Sequence, residues 1–474
     1  MRGKLVVIFN GVHYRGAEDE PDGEEKVVAV TDTAKTDGVL SDLRDWLGAN
    51  WDPDLTVGDW WERLGLAGWA APGLPANAYG RAMARADTVL VQREISSFGA
   101  LGAPAGLGLL LAAPTIATHG TQEQIDLYVR DIVCGRKAWC QLFSEPQAGS
   151  DLAGLQTRAI RDGDEWVING QKVWTSGGQF SDLGMLLART DANVPKHQGI
   201  SYFAFDMHEE GADVRPLREM TGHALFNEVF LTDARVANSA LIGGVNKGWA
   251  AANTTLMNER AGLGSGGGNS GGGGVGAQPG TVLGHLSRRA GDCVPSRDAG
   301  ERAKKRSKGS GEVWRALARG VDLFIDEARA RGVHTDPVIR QDLVRLYTLG
   351  ELGRMNGLRL KAVKAQGSDI AGLPNVAKLM MSQTVRLSRD LGLSILGPSG
   401  TLHSYSEDTH ALADASGGSL ARGITEIALF AQAPPIYGGS DQVQRNIIGE
   451  RVLQLPKEPN SDRTTPFSEL PKNA

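Results

Sequence analysis

Several short segments of this chain combine groups that could bind a charged ligand and move a proton. Residues 143–151 and 170–177 bring hydroxyl groups and an indole together with turn residues, and residues 396–400 and 437–442 are rich in glycine. Glycine lets backbone N–H groups approach a pyrophosphate closely. The carboxylate of Glu259 is a candidate general base, because burial makes a carboxylate hold a proton more readily. Each segment is also typical of an ordinary turn or surface helix.

Length and composition indicate a large globular protein. The chain has 474 residues, of which 41% are apolar, and its net charge of −5 argues against a nucleic-acid-binding surface. Cys134, Cys140 and Cys293 are too few and too irregularly spaced for a disulfide framework or a zinc site, and the nine histidines show no metal-ligand spacing. We therefore expect a reducing, cytoplasmic compartment. No apolar stretch approaches the length needed to span a bilayer.

The texture of the sequence changes twice, which predicts helices, then a β domain, then helices, an α+β chain. Apolar residues recur at helical spacing before about residue 135 and after about residue 245, and short strand-like runs lie between. The predicted parts are a loosely ordered leader (1–35), an N-terminal helical domain (36–135), a central β domain (136–245), a C-terminal helical domain (246–456) with a flexible glycine-rich and basic insert (264–311), and a polar, loose tail (457–474).

Three local signals set element boundaries. Thr121 precedes Gln122, Glu123 and Gln124, an amide- and acid-rich first turn that predicts a helix start. Asp336 before Pro337 predicts an N-cap with proline at the first helical position. Asn169-Gly170, between two apolar runs, predicts the turn of a β-hairpin because both residues tolerate positive φ.

Residues 139–151, read with the β domain behind them, resemble the acyl-CoA dehydrogenase signature around Glu-Pro-x-Ala-Gly-Ser-Asp, here residues 145–151. Residues 170–177 resemble the aromatic-bearing strand of that family, and residues 434–453 resemble its C-terminal flavin-site segment and closing helix. The resemblance extends from about residue 40 to 456, the insert excluded. It implies an N-terminal helical domain, a central β-barrel domain, a C-terminal four-helix bundle, an FAD cofactor and an acyl-CoA substrate.

The resemblance also implies roles for individual residues. In the family, the loop at Phe143 and Ser144 binds the flavin pyrimidine end, Trp174 packs near the isoalloxazine, and Ser176 reaches flavin N5. The implied cofactor-binding residues are Phe143, Ser144, Trp174, Ser176, Gly397, Gly400, Ser440 and Gln442, and the implied substrate-binding residues are Ser150, Arg260, Tyr437 and Gly439. The turn at Gly397 and Gly400 would contact FAD held by a neighbouring subunit, which implies a site shared across an oligomer.

The position of the catalytic base departs from the commonest pattern of the family. Gly438 stands where a glutamate commonly follows the Ile-Tyr pair, although its backbone N–H can still bind the thioester oxygen. Glu259 matches the position at which the isovaleryl and long-chain branches place their base. The reaction implied is α,β-dehydrogenation to the trans-2-enoyl-CoA, with Glu259 taking the proton and flavin N5 taking the hydride. Burial is expected to raise the pKa of Glu259 above about 4.3.

Two other functions stay open from the sequence. A non-catalytic dehydrogenase-like subunit that completes the FAD or acyl-CoA site of a partner chain would explain Gly438. An oxidase that passes electrons to oxygen would share the same motifs. For a dehydrogenase the resemblance implies an electron-transfer flavoprotein as electron acceptor, and a homotetramer or dimer, with a heterotetramer as the alternative.

Overall fold

The computed structural model of this chain describes residues 33–264, 277–294, 319–365, 368, 370–405, 409, 419–459 and 462–471. The predicted leader lies outside the described residues, apart from 33–35, and so does most of the predicted insert. The described residues form a helical N-terminal part, a β-sheet part and a helical C-terminal part, as the sequence predicts. None of the described helices combines the length and apolarity needed to cross a lipid bilayer.

The N-terminal part is built from short helices around tryptophans. Its helices are α1 (Thr33–Asn50), α2 (Val57–Leu66), α3 (Arg85–Phe98), α4 (Ala113–His119), α5 (Gln122–Gln124) and α6 (Arg130–Val133), with π-helical turns at Gly108–Ala112 and Ile125–Val129. In α2 the buried Trp60 and Trp61 donate their indole N–H groups to the carbonyls of Leu101 and Gly102. Thr121 forms a capping box with Gln124, which confirms the predicted helix start.

The central part is one eight-stranded mixed sheet. Its strands are β1 (Trp139–Leu142), β2 (Arg158–Asp162), β3 (Glu165–Ser176), β4 (Leu183–Arg189), β5 (Ile200–Asp206), β6 (Ala212–Leu217), β7 (Phe226–Ala237) and β8 (Leu241–Ile242). The strand order is β6-β7-β3-β2-β4-β5-β8, and β1 pairs with β4 in parallel. The buried side chains of this sheet and of the N-terminal helices form a single core.

The predicted hairpin at Asn169-Gly170 is wrong. Both residues lie inside the continuous strand β3, where the register with β7 shifts between Ile168 and Gly170. A side chain at Gly170 would collide with Thr157, whose Oγ1 would lie 2.4 Å from the added Cβ. Glycine is thus required for close packing at a bulge and not for a turn. The true hairpin joins β2 to β3 at Gly163, which has φ +61°.

Four of the six described helices of the C-terminal part surround a second core. After α7 (Gly248–Gly264) come α8 (Val321–Ala330), α9 (Pro337–Ala365), α10 (Leu373–Leu396), α11 (Ser419–Phe430) and α12 (Asp441–Ile447), which continues into a π-helical turn at Ile448–Val452. Helices α8 to α11 bury Phe324, Leu346, Leu391 and Ile424 together. Asp336 Oδ1 accepts hydrogen bonds from the N–H groups at the start of α9, which confirms the predicted cap.

Two segments expected to be loose are held by specific contacts. Within the predicted insert, residues 277–294 pack on the N-terminal helices, where Val57 N–H donates to the Arg288 carbonyl over 2.8 Å. Within the predicted tail, residues 462–471 pack on the β domain and bury Phe467. Backbone hydrogen bonds hold both segments, and the second also has an aromatic anchor, so composition does not reveal these contacts.

Candidate active site

The loop after β1 lies directly beside β3, which brings two of the predicted segments together. The Val173 N–H donates to the Ser144 carbonyl over 2.9 Å. Phe143 is buried, with its ring edge-on to Tyr202 at 6.1 Å between centroids. Ser144 is half-buried on this loop.

A buried ion pair fixes this loop to the strand. Lys172 Nζ lies 2.8 Å from Glu145 Oε1 and donates to the Phe143 carbonyl over 3.1 Å. Glu145 also accepts the N–H groups of Gln156 and Thr157, over 2.6 and 2.9 Å. Burial opposes ionisation of Glu145, but the charge of Lys172 and these hydrogen bonds outweigh it and hold the pKa of Glu145 below its usual value. Burial in turn lowers the pKa of Lys172, and Glu145 partly opposes that shift.

The indole of Trp174 is exposed on the same strand. Trp174 has φ +61° at a register shift between Lys172 and Thr175, and its side chain is 61% exposed. A non-glycine residue in this conformation is uncommon and marks local strain that the surrounding structure must hold. The ring packs edge-on to Phe226 at 5.8 Å, and Ser176 pairs with Phe226 in the ladder. The bulge therefore turns an aromatic surface outward beside Ser144.

These residues fit an isoalloxazine ring. An exposed indole offers a flat apolar surface, and Ser144 and Ser176, on the adjoining backbone segments, offer hydroxyl donors. Both hydroxyls and the indole belong to backbone segments that are hydrogen-bonded to each other or to β7. FAD is therefore a cofactor that this donor set suits.

Glu259 faces the β domain. It lies one helical turn after the buried Thr255, whose hydroxyl is 2.8 Å from that of Thr115 in the core. Residues four apart share a face of a helix, so Glu259 is on the protein side of α7. Its Oε2 lies 3.5 Å from the Gln141 side-chain nitrogen on β1, two residues before Phe143. Arg260 belongs to the same helix, and its side chain lies outside the described residues.

The loop at Gly438 has a conformation that suits glycine. Gly438 and Gly439 have φ of +62° and +78°, in the left-handed region. The side-chain amide of Gln444 donates to both of their carbonyls, over 2.9 and 3.2 Å. The Gly438 N–H makes no hydrogen bond within the described part of the chain.

Helix α10 supports this loop and packs on α7. Asp441 is buried, with carboxylate oxygens 2.9 Å from Lys378 and 2.6 Å from Arg386. Ser382 donates its hydroxyl to the Pro434 carbonyl over 3.2 Å. Because α10 also contacts α7, one helix supports both the Gly438 loop and the helix that carries Glu259.

The remaining predicted residues take different places. Ser440 caps α12, Gln442 is exposed on it, and Tyr437 packs near Phe430 with burial raising the pKa of Tyr437 to about 12. Ser150 is exposed on the loop after β1. The turn of Gly397 and Gly400 follows the far end of α10, about 22 Å along the axis from Ser382 at 1.5 Å per residue. The single chain therefore does not bring this turn to the Gly438 loop.

The sequence did not identify three residues that have clear structural roles at the site. Glu145 and Lys172 lie inside the two motif segments, and their opposite charges in segments expected to lie together were the available signal. Gln141 carried no such signal, because its contact with Glu259 depends on tertiary packing.

Comparisons with known proteins decide the family. Models of the acyl-CoA dehydrogenase N-terminal, middle and C-terminal domains match residues 43–136, 140–234 and 305–453. The chain belongs to the acyl-CoA dehydrogenase family. This is a family of FAD-dependent oxidoreductases that act on acyl-CoA thioesters, typically as tetramers.

Individual relatives agree with this assignment. The acyl-CoA dehydrogenase IpdE1 of Mycobacterium tuberculosis is 32% identical over 399 residues, covering 84% of this chain and 88% of the relative. Acyl-CoA dehydrogenase FadE34 of the same organism is 48% identical over 203 residues, but these cover 43% of this chain and only 28% of that relative's length. A solved structure titled Tcur3481-Tcur3483 steroid ACAD superposes with a TM-score of 0.61 at 25% identity, covering 90% of this chain and 98% of that one.

Proposed function

We propose that this acyl-CoA dehydrogenase family member catalyses α,β-dehydrogenation of an acyl-CoA thioester with Glu259 as the base. The observation that carries the proposal is the position of Glu259 on the protein side of α7, 3.5 Å from Gln141 of the strand that leads into the flavin-type loop. A surface glutamate would instead point away from β1.

The residues divide the chemistry between them. Glu259 would accept the proton from Cα, and the Gly438 N–H would donate a hydrogen bond to the thioester oxygen, on which negative charge develops as the proton leaves. Phe143, Ser144, Trp174 and Ser176 would hold FAD, with Ser440, Gln442, Gly397 and Gly400 contributing across a subunit contact. FAD, when bound, supplies the acceptor for the hydride that leaves Cβ. Ser150, Arg260, Tyr437 and Gly439 would contact the substrate.

A substitution at Glu259 tests the assignment. Glu259→Gln keeps the shape of the side chain and removes its basicity, so the purified variant should bind FAD and substrate yet show no flavin bleaching under anaerobic acyl-CoA titration. Asp233→Asn, an exposed change on β7, is the matched control and should bleach like the wild type. Bleaching of the Glu259 variant at the wild-type rate would exclude Glu259 as base.

A second function is supported by Gly438. The absence of a carboxylate there, together with the two-component name of the Tcur3481-Tcur3483 steroid ACAD, supports a chain that completes the site of a related subunit. Colourless protein that becomes yellow only when it is expressed with a related chain would favour this function. Long-chain, branched and steroid-bearing thioesters belong in the titration panel, since that neighbour is titled a steroid ACAD.

The remaining partners follow from the dehydrogenase proposal. An electron-transfer flavoprotein would reoxidise the flavin of a dehydrogenase, whereas an oxidase would release peroxide in air. The assembly proposed is a homotetramer or dimer, with a heterotetramer under the second function.

A further inference from the structure

The loop between β6 and β7, residues 218–225, is braced by its own hydrogen bonds. Glu219 Oε1 accepts the N–H of Leu225 over 2.7 Å, and the Glu219 N–H donates to the His223 carbonyl over 2.8 Å. The Gly222 N–H donates to the Glu219 carbonyl over 2.9 Å, and Gly222 has φ +86°. These bonds close the β6–β7 loop into a compact turn, so a displacement at one of its residues reaches the others.

One end of the β6–β7 loop holds the aromatic side of the proposed flavin site. The Leu225 carbonyl accepts the Gly177 N–H over 2.9 Å. The next residue, Phe226, packs edge-on to Trp174 and pairs with Ser176 in the ladder. The backbone of Trp174 is in an uncommon conformation that its surroundings must hold. The position of the loop therefore affects both the indole and the Ser176 hydroxyl.

The other side of the same loop docks on the C-terminal helical part. His223 Nε2 lies 2.8 Å from Glu426 Oε1, on α11. Gly222 lies against the Tyr405 ring, since a side chain at position 222 would place its Cβ 2.7 Å from Tyr405 Cδ1. Two consecutive residues of the loop thus contact two separate segments of the helical part.

Glu426 accepts hydrogen bonds from two imidazoles. Its side chain is almost completely buried. His403 Nε2 lies 3.6 Å from Glu426 Oε2 and 3.4 Å from the Thr221 carbonyl. A carboxylate and a carbonyl are both acceptors, so Nε2 carries the hydrogen in His403, and the carboxylate requires the same of His223. A buried carboxylate needs such donors, and here one of them belongs to the β domain.

Helix α11 connects this contact to the Gly438 loop. The Ala433 N–H donates to the Phe430 carbonyl over 3.0 Å, and the Tyr437 N–H donates to the Ala433 carbonyl over 3.1 Å. The Tyr437 ring packs near Phe430, at 6.5 Å between centroids. The Gly438 loop is therefore a braced continuation of the helix that carries Glu426.

We propose that His223 and Glu426 are positioning residues that set the distance between the indole of Trp174 and the Gly438 loop. The inference rests on the proposed function, because it takes these two surfaces as sides of one flavin and thioester site. His223 acts by holding the β6–β7 loop, and through it Trp174 and Ser176, against the helix that continues into the Gly438 loop. Without this hydrogen bond the indole would no longer have one position relative to that loop.

Hydrogen exchange of the full chain as purified, followed by mass spectrometry, tests the proposal without acyl-CoA. His223→Leu removes the donor, and exchange should become about tenfold faster at residues 174–179 as well as at 218–225, the factor expected for one hydrogen bond to a carboxylate. His223→Gln keeps a side-chain N–H near the position of Nε2 and should restore the wild-type rate. His334→Leu, an exposed change between α8 and α9, is the matched control and should also exchange at the wild-type rate.

Flavin fluorescence supplies a second measurement, which depends on the indole itself. An indole stacked against a flavin quenches its fluorescence, so His223→Leu should raise the fluorescence of each bound flavin. The same substitution in a Trp174→Phe background should add nothing, because the two residues act in series. A residue that only stabilises the fold would not show this dependence on Trp174.

Three results would overturn the proposal. The first is faster exchange at residues 218–225 without any change at 174–179, which would confine the effect of His223 to its own loop. The second is an equal rise in fluorescence with and without Trp174. The third is a His223→Gln variant that behaves like His223→Leu, since the side-chain N–H would then be irrelevant.

A second variant covers the case in which His223→Leu does not fold. Tyr405→Leu removes the ring that lies against Gly222, and Tyr405 is 57% exposed. Exchange at residues 174–179 should again become faster, and a wild-type rate there would contradict the proposal. If exchange and fluorescence change as expected while no acyl-CoA bleaches the flavin, the positioning role stands and the dehydrogenase proposal fails.

Discussion

At the scale of single residues, the buried pair of Glu145 and Lys172 has the clearest physical consequence. It joins the loop that carries Phe143 and Ser144 to the strand that carries Trp174 and Ser176. A buried ion pair adds little net stability, but removal of one partner leaves an uncompensated charge. The pair therefore acts mainly by fixing the relative position of two proposed flavin contacts.

Lys172→Met tests this role. The unpaired Glu145 should lower the free energy of unfolding by roughly 3–5 kcal/mol and lower the amount of FAD bound per chain. Urea denaturation and flavin absorbance measure the two effects. Lys137→Met is the matched control, because Lys137 is 40% exposed at 3.8 Å from Asp182 and its loss should change stability by less than about 1 kcal/mol. Normal stability together with full flavin content in Lys172→Met would contradict the assignment.

The lowered pKa of Glu145 also predicts that the free energy of unfolding depends on pH. Its pKa is lower in the folded chain than the usual 4.5, so the unfolded chain binds the proton more readily. The stabilisation is complete above about pH 4.5 and is lost as the pH falls through the lower folded-state pKa. The difference in unfolding free energy between wild type and Glu145→Gln should therefore be constant at neutral pH and shrink below about pH 4.5. A difference that grows on acidification would have the wrong sign.

At the scale of elements, α10 supports both groups proposed to act on the thioester, the Glu259 carboxylate and the Gly438 N–H. It contacts α7 and holds the Gly438 loop through Asp441, which pairs with Lys378 and Arg386. Burial alone would raise the pKa of Asp441. Hydrogen bonds from Lys378 and Ser382, together with the charges of Lys378 and Arg386, outweigh burial and hold this pKa below its usual value.

Asp441→Asn should loosen the loop without removing any group proposed to react. We expect a loss of about 1–3 kcal/mol in unfolding free energy, because Lys378 loses its charged partner. The rate of flavin reduction by substrate should fall, while FAD content stays high because the β-domain contacts are intact. Asp390→Asn, an exposed change on the same helix, should alter neither quantity. Equal reduction rates in Asp441→Asn and the wild type would show that the Gly438 loop has no part in the chemistry.

At the scale of the whole molecule, the distance between the turn of Gly397 and Gly400 and the Gly438 loop bears on how FAD is held. Gly397 and Gly400 follow one end of α10, and the Gly438 loop docks nearer the other, so they cannot contact the same part of one FAD within one chain. A site shared between chains would place each turn on the FAD of a neighbour.

Dilution tests the shared site. If FAD is held between chains, dissociation into monomers should release it, so flavin fluorescence should rise at the protein concentration where light scattering shows the smaller species. Monomers that retain one FAD per chain would exclude sharing.

The sequence by itself determined the order of helices, sheet and helices, the family, and the caps at Thr121 and Asp336, because these depend on local patterns and on short motifs. It failed at Asn169-Gly170, since a bulge and a hairpin turn both select glycine and only pairing with β7 separates them. It also missed the packing of residues 462–471 on the β domain, because a polar segment with one phenylalanine has no periodicity. Only the tertiary structure decided that Glu259 faces Gln141, that Trp174 is exposed and that Lys196 is shared by two carboxylates. Each of these contacts joins residues distant in the chain or depends on a backbone conformation set by neighbouring strands.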